Sequence, residues 1–577
     1  HISVRNLIRS LLPATQPAVK RKNMKTITIT CENTGLDYEI EPGTSLREVK
    51  QIIYPENHHH ILAALVNNQL QDLQYLVLAP LRVNFIDATS MDGYSVYTRS
   101  LIFVLYKAAS RLFPRRAFRA EYIISNGIFC RLGNRNTPLK AECVDKLRKE
   151  MENIVAHDYP ILREDIPTEE AVRIFRGKGL RDKAALMETR GKLYTSLYYI
   201  DRLPDYFYGN LAPSTGCLKT FGLIPYKDGM LLQLPDRKNP STLLPTLPQD
   251  KLFQVFNEHK HWGKILEVTD IGSLNKLIGQ KMAGPVIKIS EALHEKKISQ
   301  IADQIKARQG QVKVVLIAGP SSSGKTTFSK RLAIQLMVNG IRPVNLSLDN
   351  YFVNREDTPR DENGEYDYES INALDIHTFT DNIQRLLAGE EVEIPKFSFE
   401  TGQRFYDGEK LRIGKNNVII VEGIHGLNPQ LTRLLPPKTL FKIFVSALTA
   451  IAIDDHNLIN PADNRLLRRM VRDYKYRNYS ALETIKRWES VLAGEQKHIV
   501  PYQEEADAMF NSALTYELGA LKIQAEPLLR EVTQQHPEHS KALRLLKFFS
   551  YIRAVPTREI PPTSIIREFL GGSSFKY

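Results

Sequence analysis

Alternating apolar and polar positions open the chain, and longer helical spacing takes over several times further along. Lys25-Thr26-Ile27-Thr28-Ile29-Thr30 alternates, turns at Asn33-Thr34-Gly35 and resumes at Tyr38-Glu39-Ile40, which predicts a β-hairpin. A helix is expected over 45–53, then a strand at Ala63-Ala64-Leu65-Val66 and a turn at Asn67-Asn68-Gln69. Residues 235–248 are rich in proline and polar side chains and read as a linker. Beyond them Ile289, Leu293, Ile298, Ile301 and Ile305 recur at helical spacing within 287–307. The β-branched run 312–318 reads as a strand buried on both faces, and 327–339, closed by Gly340, as a helix with Phe328, Leu332, Ile334 and Leu336 inward. Strands are expected again at 343–348 and 417–422. Leucines recur through 514–552, which reads as helical, and the tail 560–572 is apolar enough to dock.

Composition widens this picture without naming a chemistry. With 577 residues, 42% hydrophobic and 25% charged, the chain is long enough for three or four globular domains. Five of its thirteen net positive charges fall in residues 1–23, which hold no acid. Two readings of that start are open, a basic targeting peptide or upstream sequence with Met24 as the true start, and two prolines in a poor amphipathic helix favour the second. The eight charges left over so long a chain support nucleic-acid contact only weakly. Cys31, Cys130, Cys143 and Cys217 have neither C-x-x-C nor zinc spacing, which points to reduced thiols and a cytoplasmic protein. His58-His59-His60 reads as a solvated loop, since adjacent side chains point apart. No apolar run approaches the ~18 residues of a membrane span.

Chemistry concentrates between the strand at 312–318 and the helix after it. Gly319-Pro320-Ser321-Ser322-Ser323-Gly324-Lys325-Thr326 fits G-x-x-x-x-G-K-[ST] in strand-loop-helix context, which makes it a nucleotide site. Gly319, Ser321, Ser322, Ser323, Gly324, Lys325, Thr326 and Thr327 are its expected phosphate contacts. N–H groups at a helix start have no partner within the helix and carry the positive end of its dipole; Lys325 reaches the β/γ oxygens of ATP and Thr326 a Mg²⁺ ion. Asp349 follows the next strand. An acid there has three jobs open to it: metal ligand, base toward a hydroxyl, or solvated loop residue. Glu422 ends a further strand where a second phosphate-site acid belongs, and phosphoryl transfer needs such a pair. Arg468, Arg469 and Arg472 share one helix face, with Arg477 beyond, and their planar forks suit phosphate oxygens.

Two resemblances organise the rest. Residues 24–88 resemble a TGS domain, the ubiquitin-like β-grasp module at the N-terminus of threonyl-tRNA synthetases and some GTPases. Residues 89–234, with a helix over 98–113, the Ser125-Asn126-Gly127-Ile128-Phe129 turn and Tyr208-Gly209-Asn210-Leu211-Ala212-Pro213-Ser214-Thr215-Gly216, resemble the second, editing domain of those synthetases. Editing needs two His on that helix and a Cys and His near the later turn. Arg99, Phe103, Phe207 and Leu211 stand there instead, so the resemblance implies a scaffold, a sensor or an RNA-facing surface rather than an editing enzyme.

From Val312 to Leu514 the chain resembles the uridine/cytidine kinase and phosphoribulokinase family. The resemblance implies that Asp349 accepts the 5′-hydroxyl proton and that Asp367, in Tyr366-Asp367-Tyr368-Glu369, binds ribose. It further implies that Arg469 lies near the ribose hydroxyls, Arg472 and Arg477 lie on the ATP phosphates, and Phe352, Phe397 and Phe399 line a pocket for a planar base, with Thr326 and Glu422 at the metal. The family's base-reading His and Arg correspond to Gly402 and Tyr479, which leaves pyrimidine specificity unsupported. The expected fold is α/β: a P-loop kinase with a parallel sheet flanked by helices, preceded by a β-grasp (TGS) domain and an α+β editing-like domain. Expected boundaries are 1–23 leader or non-native start, 24–88, 89–234, 235–308 linker and helix, 309–515 kinase and 516–577 helical extension. The expected activity is ATP-dependent transfer of the γ-phosphate to a nucleoside hydroxyl, catalysed by Asp349 and Lys325. The competing reading is a nucleotide-switched protein that binds RNA through its TGS-like half; no membrane is implied, and self-association is left open.

Overall fold

The alternation at the start of the chain becomes the edge of a five-stranded mixed sheet. The computed structural model describes residues 26–577 apart from 57–59, 134–137, 361–363, 365, 399, 415, 434 and 450, so His58 and His59 lie outside the described residues. Ile27–Cys31 pairs antiparallel with Leu36–Ile40, Ile27 opposite Ile40, and parallel with Leu81–Ile86. The sheet continues to Ala63–Val66 and Gln69–Gln71. Ser45 caps the helix Leu46–Ile53 through a reciprocal pair with Glu48, and Leu46 and Val49 are its buried positions.

Next comes the long helix Met91–Leu112, which starts seven residues before the sequence-based expectation. Ser90 accepts a hydrogen bond from the Gly93 N–H, and that N-cap sets the start. Behind it lies a four-stranded sheet of Phe118–Ile124, Gly127–Leu132, Gly222–Tyr226 and Gly229–Gln233. A second sheet joins Ile161–Pro167, Tyr194–Ile200 and Leu203–Asp205. The stretch expected as linker and helix carries two further helices, Asp250–Ile265 and Ile271–Gly279, before Ala283–Ala307. On that last helix Ile298, Ile301 and Ile305 are buried, but Ile289 is 39% exposed: the inner face runs through Val286, Ile287 and His294, and Ile289 lies off it.

The nucleotide-binding half is built on five parallel strands in the order Arg342–Ser347, Asn417–Glu422, Val314–Ala318, Leu440–Ser446 and Ala508–Asn511. Val314–Ala318 is central and fully buried; Val315 and Ile317 face one apolar cluster while Val314 and Leu316 face another. A strand covered on both sides needs a continuous apolar run, which is what the sequence carries. In the following helix, Lys325–Val338, Phe328, Leu332 and Leu336 are buried at i, i+4 and i+8, whereas Ile334 is 41% exposed. Ile334 lies about 200° around the helix from Leu332, which corrects its inward assignment. The leucines of 514–552 divide between Glu517–Arg530 and His539–Phe549, and the largest apolar cluster runs from Ile166 through the kinase sheet to Leu570.

Buried charge ties the two halves together. Lys183 Nζ lies 2.8 Å from Asp205 and 3.0 Å from Asp454, and donates to the Tyr206 carbonyl at 3.1 Å; the three charged side chains are fully buried. His456 Nδ1 is 2.7 Å from Asp205, and its ring packs 4.2 Å from Tyr106. Lys183 and Asp205 precede the five-stranded parallel sheet in sequence; Asp454 and His456 lie between its strands Leu440–Ser446 and Ala508–Asn511. At the far end Arg544 grips Asp463 with two bonds of 2.6 and 2.7 Å. Burial would raise the Asp463 carboxyl, but Arg544 and then Lys541 hold it down at about 2. A depressed carboxylate contributes stability that is complete above the ordinary value near 4 and is lost as pH falls through about 2. Thermal unfolding between pH 5 and pH 2.5 should therefore show a loss of about 2 kcal/mol at this site. Asp463→Asn, less stable at neutral pH, should show a shallower decline; an equally steep one would count against the assignment.

Candidate active site

Two left-handed residues shape the loop between Val314–Ala318 and Lys325–Val338: Ser322 at φ 59° and Gly324 at φ 82°. Successive turns of this kind point backbone N–H groups into one concavity. Gly324 is required twice over, because a Cβ there would also stand 2.5 Å from an Ile565 methyl. Gly319 has no room for a Cβ against the Val445 carbonyl. From behind, Arg468 supports the loop, donating to the Ser322 carbonyl at 3.4 Å while fully buried and paired with Glu517 at 2.5 Å. Lys325 Nζ folds back on the Gly319 and Pro320 carbonyls at 2.9 and 3.2 Å.

The two expected acids meet beside the loop. Ser347 and Glu422 are partners on adjacent parallel strands, and Asp349 follows on the single turn Leu348–Tyr351. Thr326 and Ser347 hydroxyls both donate to the same Glu422 oxygen at 3.3 Å. Burial and then the nearby Asp349 push Glu422 up to about 7. Asp349 is pushed up by burial and pulled back by Lys325, Arg477 and Arg472. Hard oxygen donors around two mutually repelling carboxylates fit Mg²⁺, which takes one or two carboxylates and fills its octahedron with water and phosphate oxygens. In keeping with so few protein ligands, no group of three His, Cys, Asp or Glu among the described residues could hold a metal ion.

Opposite the loop runs Pro461–Arg477. Arg469 donates to the Ser321 hydroxyl at 2.9 Å and pairs with Asp473 at 3.2 Å; Arg472 and Arg477 lie 2.7 and 3.8 Å from the same carboxylate. Asp473 thus gathers three cations over the loop, and two of them face Asp349. Phe352 and Phe397 lie 5.6 Å apart, ring to ring; Phe399 lies outside the described residues. Gly402 has φ 73° and packs on Arg355, whose guanidinium would stand 2.7 Å from a Cβ. A side chain at this position would be strained. Tyr479 stacks under Arg487 at 4.6 Å.

Two residues of this pocket, Glu369 and His425, escaped the sequence reading. Asp367 lies 3.9 Å from His498, while Glu369, two residues on, turns toward the loop. Burial pushes Glu369 up to about 7, opposed by Arg469 and Lys325, and Asp349 adds to the rise. Its methylene would collide with any side chain at Gly494, so that glycine seats it. His425 is fully buried and held near 4 by burial and by His498, with the Ser370 and Glu369 backbone opposing the fall. A second acid in the same turn was the available signal for Glu369. For His425 only its place three residues after Glu422 pointed to the site.

Residues 314–518 match the model of the phosphoribulokinase/uridine kinase family. This is a P-loop kinase domain. Among curated proteins the chain is similar to threonine–tRNA ligases over its N-terminal region: 28% identical over 192 residues to that of Methylococcus capsulatus and 26% over 198 residues to that of Streptococcus equi subsp. zooepidemicus. These matches cover 33% and 34% of the chain, and the chain spans 30% of each relative's length. A solved possible uridine kinase from Bacillus stearothermophilus aligns over 37% of this chain and 98% of its own at 18% identity, with a TM-score of 0.26. D-glycerate 3-kinase from Cryptococcus neoformans var. grubii aligns over 46% and 89% at 14% identity and 0.22, and scores this low carry only a description. The architecture is a kinase domain fused behind a synthetase-like half. In that half the four positions where editing chemistry would stand are filled: Phe103 and Phe207 pack 5.3 Å apart, Arg99 donates to the Asn210 carbonyl at 3.1 and 3.2 Å, and Leu211 is 1% exposed.

Proposed function

We propose that the protein is an ATP- and Mg²⁺-dependent phosphotransferase that moves the γ-phosphate to a hydroxyl of a nucleoside or a nucleoside-sized polyol. The observation that carries the reading is Asp349, two residues past the strand partner of Glu422, buried within the fields of Lys325, Arg477 and Arg472. Lys325 and the N–H groups of the loop bind and orient the ATP phosphates; Arg472 and Arg477 neutralise charge on the transferred group. Thr326 and Glu422 would hold Mg²⁺, which offsets phosphate charge when bound. Asp349, raised by burial and opposed in that rise by its cations, takes the proton from the attacking hydroxyl. Asp367, Glu369 and Arg469 orient the acceptor's hydroxyls, and Phe352 and Phe397 supply an apolar wall.

A nucleotide switch that only binds RNA leaves Asp367 and Glu369 without a task, which favours the kinase reading. The synthetase-like half then serves as a scaffold, and the six segments expected from the sequence are the working division of the whole chain. Purified protein with Mg²⁺ and ATP should consume ATP faster in the presence of at least one member of a panel of nucleosides, nucleotides and sugars. Consumption that no acceptor stimulates would overturn the proposal.

A further inference from the structure

The apolar tail ends on the nucleotide site. Ile565, Ile566, Phe569 and Leu570 are buried in the main core; Phe569 packs under Arg468 at 5.1 Å, and Lys475 holds the Leu570 carbonyl at 2.9 Å. Ile565 rests against Gly324. Between these anchors Glu568 points at the start of the phosphate-loop helix. Its carboxylate accepts from the Thr327 hydroxyl at 2.6 Å and from the Thr327 N–H at 3.2 Å, and the Tyr577 hydroxyl lies 2.9 Å from the same Thr327 oxygen.

Thr327 follows Lys325, which serves the β/γ oxygens, and Thr326, which serves the metal. Its N–H and hydroxyl therefore stand at the α-phosphate end of the cradle. A carboxylate and a phosphate oxygen cannot share one N–H, and Glu568 already lies within the field of Glu422, whose proton it helps retain. We infer that Glu568 is an intramolecular surrogate for the α-phosphate: an affinity-setting residue that occupies the nucleotide-free site and must be displaced when ATP or ADP binds. Four buried neighbours hold the backbone in place, so the displacement is a side-chain swing within a fixed tail. The anionic side chain satisfies the helix start in the empty enzyme, and the nucleotide gains only what exceeds that bond. This inference rests on the nucleotide site and is independent of the acceptor.

The test uses the full chain with Mg²⁺ and ADP, so that no acceptor is needed. Isothermal titration of wild type, Glu568→Gln and Glu568→Ala should show ADP binding tightened by about tenfold in both variants, the scale of one charge-assisted hydrogen bond no longer displaced. Melting without nucleotide should fall in the variants, and the rise on adding ADP should exceed that of wild type. Should either variant fail to fold, Glu568→Asp, one methylene shorter, should give an intermediate tightening. Unchanged affinity would overturn the inference, as would weaker binding, which would make Glu568 a direct nucleotide contact.

Discussion

Asp349→Asn is expected to lower acceptor phosphorylation by about 10²- to 10⁴-fold while ADP affinity stays within a few-fold of wild type. The carboxylate is placed to take a proton, and asparagine keeps its size and one acceptor oxygen but cannot. Burial raises Asp349 and strengthens it as a base, while Lys325, Arg477 and Arg472 oppose the rise. The substitution also relieves Glu422, which Asp349 helps push up to about 7, so metal binding should ease or hold. Loss of kcat with retained nucleotide binding is the decisive pattern. Turnover that survives would remove Asp349 as the base, and parallel loss of binding would recast it as a metal ligand.

Lys183→Met should be strongly destabilising, costing about 3–5 kcal/mol. Asp205 and Asp454 are fully buried on either side of Lys183 at 2.8 and 3.0 Å. Burial would raise Asp205, yet Lys183 and then His456 keep it at about 2, so removing Lys183 strands two carboxylates in the interior. Urea unfolding should show the loss, and the additional changes Asp205→Asn and Asp454→Asn should recover much of it. A loss under about 1 kcal/mol would mean that water reaches the cluster and screens it.

Short-range patterns carried the phosphate loop, the acids at strand ends and the arginine helix into view, because each depends on neighbours within a few residues. The helix starting at Ser45 was legible for the same reason, although its capping box was not read, and the start of Met91–Leu112 turned on one N-cap hydroxyl that periodicity does not register. Glu369 was masked by Asp367, the residue a motif comparison selects. The Lys183 cluster and the Glu568 contact join residues more than 240 positions apart, and no local spacing records that Thr327 and Glu568 meet. At Gly402 the sequence offered only a contrast with the resembled family; the φ of 73° and the Arg355 beneath it, which make a side chain strained there, are visible in the structure alone.

The loop Asp205-Tyr206-Phe207-Tyr208 grips the segment just ahead of the arginine helix: Asn457 bonds the Tyr206 carbonyl at 2.9 Å and receives the Tyr208 N–H at 3.3 Å. Three residues further on, Asn460 caps Pro461–Arg477. The two halves therefore share one load path, and a fusion in sequence is not a pair of interchangeable modules. A kinase domain grafted behind a different partner would inherit the phosphate loop intact, yet lose the seat that aims its arginines.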